Sequence, residues 1–134
     1  FTCLTLSPKG DCPNGPHGPI GEWNVSNVSS MSLLFSYASA FVGDVSKWDV
    51  SRVEDMSAMF LNAKKFNGDI SKWDVSSVTN MMNTFHSASR FNSDISNWNV
   101  SRVVQMTGMF NSATCFNGDI KLSSRPNKKH KCRS

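Results

Sequence analysis

Aspartate recurs every 25 residues in this chain, at Asp44, Asp69, Asp94 and Asp119, and a second column runs Asn24, Asp49, Asp74, Asn99. Carboxylates stacked ~5 Å apart repel by about 1 kcal/mol even in water, so such ladders call for compensation. Calcium between neighbouring copies is one answer, because it takes oxygen ligands, and Asp44, Asp49, Asp69, Asp74 and Asp94 would supply them. The other answer is local: an Asx side chain accepts hydrogen bonds from its own turn. The exchange of Asn for Asp in the second column favours the local answer. No resident metal or cofactor is therefore expected.

Catalysis finds little footing. His17, His86 and His130 share no repeat column, and His86 falls at a variable position that reads as a solvated helix face. No nucleophile–base spacing, Gly-rich phosphate loop or His metal motif is present, so the chain is not expected to be an enzyme. The four cysteines lie at the ends: Cys3 and Cys12 early, Cys115 and Cys132 late. Their even number suggests two disulfides in an oxidising compartment. Cys3–Cys12 with Cys115–Cys132 is the pairing that needs no contact between opposite ends; four free thiols in a reducing cytosol is the alternative. Asn24, Asn27 and Asn99 each begin an Asn-Val-Ser sequon, available for glycosylation in a secretory setting.

The elements that position these residues follow from the repeat. Rows of 25 residues begin at Pro16, Phe41, Phe66 and Phe91, with a truncated row at Phe116. Seven columns are identical in the four full rows, among them Trp23/Trp48/Trp73/Trp98, Met31/Met56/Met81/Met106 and Phe35/Phe60/Phe85/Phe110, which read as the structural core. In the third row the apolar positions Val78, Met81, Phe85, Ala88 and Phe91 step by 3, 4, 3 and 3, the spacing of one helix face. Ser76 stands where an N-cap would, Ser51 and Glu54 match a capping box, and Lys64 and Lys65 would complement the helix dipole at its far end. Asn67-Gly68-Asp69 is turn chemistry, and Ile70 to Val75 reads as a short strand. The expectation is an α/β solenoid, a stack of about four strand-turn-helix rungs with disulfide-stapled caps. Strands pair ~4.8 Å apart and helices pack ~8–10 Å apart, so such a stack would form an arc with the strands inside. Residues 1–19 read as an N-terminal cap, 20–120 as the repeat body and 121–134 as a C-terminal cap and basic tail.

The motif F-N-x-D-I-S-x-W-[DN]-V-S-x-V-x-x-M-x-x-M-F-x-x-A resembles the repeat of BspA-like surface proteins, relatives of the leucine-rich repeats, over about residues 18–120. The resemblance implies a right-handed solenoid used for adhesion or protein–protein contact, without a known catalytic centre. Family members are usually longer; the short stack and Cys-bearing ends here fit a small accessory or assembly subunit.

Charge points the same way. Six cations (Lys121, Arg125, Lys128, Lys129, Lys131 and Arg133) lie in the last 14 positions, leaving a net of −2 elsewhere. That placement disfavours nucleic acid as a partner. No apolar run approaches the ~18 residues of a transmembrane segment. The chain opens on Phe1, which suggests a processed or incompletely covered product, with any targeting signal out of view. The expected partner is a protein, acidic or membrane-associated, met by the variable column Lys47, Lys72 and Asn97 and by Arg125, Lys128, Lys129 and Lys131 in the tail. The compartment expected is the cell surface or exterior, with an organellar lumen such as the thylakoid's as the alternative. The competing function is a calcium-dependent carbohydrate or surface adhesin.

Overall fold

A computed structural model describes residues 7–10, 15–118 and 120. Each row is a run of short turns, each closed by an N–H bonded to the carbonyl three residues back. In the third row they close from Trp73 to Ile70, Val78 to Val75, Thr84 to Met81, His86 to Asn83, Ala88 to Phe85 and Phe91 to Ala88, at 3.0–3.3 Å. Most residues at the turn ends are apolar, and Ile70, Trp73, Val75, Val78, Met81, Phe85, Ala88 and Phe91 are all buried. The turn ends thus build the core, and the residues between them face outward or lie at its margin.

The expected strand-turn-helix rung does not form. Among the described residues the helical content is one 3₁₀ turn, Ile20–Glu22. Parallel pairing is confined to isolated bridges of Ser30 with Asp55, Asp55 with Asn80 and Asn80 with Gln105. There is no strand at 70–75, Ser76 caps no helix, and Ser51 and Glu54 form no capping box. Backbone handedness is the reason. Leu33, Tyr37, Ala58, Asn62, Asn83, Ser87, Gly108 and Ser112 all have φ between 50° and 69°. Two left-handed residues four apart in each row interrupt any right-handed helix there. Each is the third residue of a turn whose second residue keeps the ordinary sign, the geometry of a type II turn. Apolar steps of 3 and 4 then arise from turns of four residues laid end to end, and they imitate a helical period.

Rows are joined chiefly through these turns. The N–H groups of Met56, Ala58, Phe60 and Asn62 donate to the carbonyls of Asn80, Met82, Thr84 and His86 in the next row, at 2.8–2.9 Å. The same four positions link first row to second and third to fourth. On the opposite side of the row, side chains make the joints. The indole N–H groups of Trp48, Trp73 and Trp98 donate to the carbonyls of Ile20, Val45 and Ile70 in the row before, at 2.9–3.1 Å. Asn92 and Asn117 donate backbone N–H groups to the side-chain oxygens of Asn67 and Asn92.

Two aromatic ladders run through the centre. Phe35, Phe60, Phe85 and Phe110 stack with centroids 5.3–5.7 Å apart. Phe41, Phe66, Phe91 and Phe116 stack at 5.7–6.1 Å beside them. Among the described residues there is neither a sheet nor a helical layer, so the mismatch of spacings that called for an arc does not arise there. Near the N-terminus, the Lys9 carbonyl accepts the Val42 N–H at 3.0 Å, and Gly10, with φ of 84°, lies so close to the Phe41 ring that a Cβ there would collide.

Candidate functional site: an exposed column of turn corners

Lys47, Lys72 and Asn97 are exposed in register, each at the third position of a four-residue turn. The turns close from Trp48 to Val45, Trp73 to Ile70 and Trp98 to Ile95 at 3.1–3.2 Å. The residue after each exposed corner is a Trp buried to 4–5% exposure. Its indole bond to the preceding row fixes the corner from behind, so two lysines and an asparagine stand on a held backbone.

The aspartates border this column. Asp44, Asp69 and Asp94 accept the backbone N–H of Ser46, Ser71 and Ser96 at 2.9–3.0 Å, and Asp69 also takes the Ser71 hydroxyl at 2.6 Å. Asn24, Asp49, Asp74 and Asn99 do the same for Ser26, Ser51, Ser76 and Ser101 at 3.0–3.2 Å. Ser76, expected as a helix cap, is therefore the donor in an Asx turn. The Ser hydroxyl and amide hold the carboxyls of Asp44, Asp49, Asp69, Asp74 and Asp94 below the ordinary carboxylate range. Neighbouring carboxylates push the other way, Asp69 on both Asp44 and Asp94 and Asp49 on Asp74, and are outweighed. Repulsion along the ladder is thus met by hydrogen bonds inside each turn. Among the described residues no group of three His, Cys, Asp or Glu side chains is placed to hold a metal ion.

Other expected residues fall apart from one another. His17 meets Trp23 edge-on at 6.2 Å, while His86 is half-buried, with Nδ1 enclosed and without a hydrogen-bond partner, rather than on a solvated helix face. Asn27 accepts from Arg52 at 3.1 Å. Cys115 is buried and disulfide-bonded. Asp119, Cys3, Cys12, Cys132, His130 and the tail cations Arg125, Lys128, Lys129 and Lys131 lie outside the described residues.

Sequence reasoning missed a cleft of about 580 Å³ against the first row, walled by Trp23, Val25, Val28, Met31 and Leu34. Its walls belong to the repeated apolar columns, so nothing in residue type set the first row apart from the rows that are covered on both sides.

The described residues thus form an in-register stack of turn-built rows that carries a polar exposed column. The chain belongs to the family described as "Mycoplasma protein of unknown function, DUF285", which it matches over residues 12–125. No curated protein and no solved structure matches it. Among the described residues no helix is long and apolar enough to cross a membrane.

Proposed function

We propose that this chain is a non-catalytic protein-binding module, a peripheral or accessory subunit of a larger assembly or a surface protein. The observation that carries the reading is the exposed column of Lys47, Lys72 and Asn97, held in register on turns anchored by buried Trp48, Trp73 and Trp98. Lys47, Lys72 and Asn97 present donors to an acidic patch on the partner, and the backbone beneath them, already held by the Trp bonds, loses little freedom on binding. The basic tail adds a second, weaker contact. Its setting is the cell surface or an oxidising lumen, with the cysteines paired as Cys3–Cys12 and Cys115–Cys132.

The test is affinity capture from the native source with wild type and with a Lys47→Glu/Lys72→Glu double variant, each with and without residues 125–131. The column reading expects loss of the captured protein on charge reversal and partial loss on truncation, larger at low salt. Capture unchanged in both variants contradicts it. Binding should be indifferent to a calcium chelator; chelator-sensitive capture would instead support an adhesin built on the Asp ladders.

A further inference from the structure

We propose that the two ends of the stack bind each other between copies of this chain, first row against fourth, head to tail. The inference concerns the ends and not the exposed column, so it stands apart from the function proposed above.

Hydrogen-bond polarity carries it. Between rows, donors at Met56, Ala58, Phe60 and Asn62 meet acceptors one row on, and the pattern is the same at each junction. In the fourth row the corresponding donors are the N–H groups of Met106, Gly108, Phe110 and Ser112, and none has a partner among the described residues. In the first row the corresponding acceptors, the carbonyls of Ser30, Ser32, Leu34 and Ser36, are likewise unmet there. One end therefore offers four donors and the other four acceptors, in one register and with one backbone geometry. The junction at the row's start is complementary too: the Thr79 carbonyl takes the Val104 and Gln105 N–H groups, whereas the Val104 carbonyl has no described donor and the Ser29 and Ser30 N–H groups no described acceptor.

The core columns agree. Val53 and Val78 are fully buried in the inner rows, while Val28 and Val103, at the same position in the outer rows, are only partly covered. Met106 and Phe110 are half-covered at one end, and the cleft of about 580 Å³ opens on Val28, Met31 and Leu34 at the other. The fourth row of a second copy brings Val, Met and Phe to the columns that the first row leaves open. Because the two faces differ, the contact is heterologous, and repeated contacts extend a chain of copies rather than close a dimer.

Sedimentation velocity on the full chain tests this. Wild type should show a mean mass that rises with concentration, by about twofold or more as copies add at open ends. Val28→Lys blocks the first-row end and Val103→Lys the fourth-row end, because a lysine that extends into water at a free end would be buried in the junction. Each variant alone should remain monomeric. Their equimolar mixture should form a dimer that does not grow, since one unblocked face of each kind remains. Near-UV circular dichroism verifies that both variants stay folded, and Leu34→Lys replaces Val28→Lys if the latter does not. A Lys47→Glu/Lys72→Glu variant should associate as wild type does. Wild type monomeric at every concentration overturns the proposal, as it would if residues beyond 120 covered the fourth row within the same chain. Association that the mixture of blocked variants fails to restore overturns the head-to-tail geometry.

Discussion

Exchanging Ala58 for glycine should stabilise this protein, and exchanging Gly108 for alanine should destabilise it. The two residues occupy the same column, third in a type II turn, with φ of 50° and 69°. An L-residue in the left-handed region costs roughly 1–2 kcal/mol, which glycine does not pay. Glycine raises the entropy of the unfolded chain and returns about 0.4–1 kcal/mol of that gain. The net for Ala58→Gly is about 1 kcal/mol of added stability, a rise in Tm of roughly 2–5 °C for a domain of this size. Gly108→Ala incurs the same backbone cost in reverse and drives a Cβ into the side-chain oxygen of Asn83, which must swing away. A loss of at least about 1 kcal/mol follows. Urea unfolding followed by tryptophan fluorescence and by circular dichroism measures both. In an α-helix both signs invert, since glycine in a helix interior costs about 1 kcal/mol relative to alanine. A destabilised Ala58→Gly together with a stabilised Gly108→Ala would refute the turn-built row.

Two further outcomes follow from the same geometry. Phe85→Ala should cost about 3–5 kcal/mol, because Phe85 is fully buried between Phe60 and Phe110, whereas Phe110→Ala at the half-covered end should cost distinctly less; equal losses in urea melts would contradict the stack. Asp44, Asp49, Asp69, Asp74 and Asp94 have depressed carboxyl pKa values when folded. Their contribution to stability is therefore complete above about pH 4 and is lost as pH falls through the lower folded values. Unfolding midpoints measured from neutral pH downward should decline below about pH 4, and Ser71→Ala should flatten that decline.

The columns of the core were legible because period and residue type survive any local geometry. Trp48, Met56 and Phe60 had to be inside, and they are. The local fold was not legible, because the sign of φ leaves a faint trace in composition. Leu33, Tyr37 and Ala58 carry no turn signal, yet they adopt the same left-handed conformation as Asn62, Asn83 and Gly108 in their columns. Asn and Gly at those positions were the clue, since they are the residues that enter this region at least cost. Ser76 misled for a physical reason: Ser after Asx-Val serves a helix cap and an Asx turn equally well in sequence, and only the Asp74 oxygen at 3.0 Å decides between them. The Asx ladders were readable as turns from the exchange of Asn for Asp. The indole bonds to the preceding row were not, since nothing in a sequence says which carbonyl a buried N–H will find.

Amide hydrogen exchange, resolved by NMR at a concentration where the chain is monomeric, tests the between-row bonding most directly. Met81, Asn83, Phe85 and Ser87 donate to the next row, while Met106, Gly108, Phe110 and Ser112 occupy the same columns and find no described acceptor. Strong protection of the first set with fast exchange in the second is the predicted result. Equal protection in both sets would mean that each row bonds within itself, as a helix does, and would contradict the stack of turns.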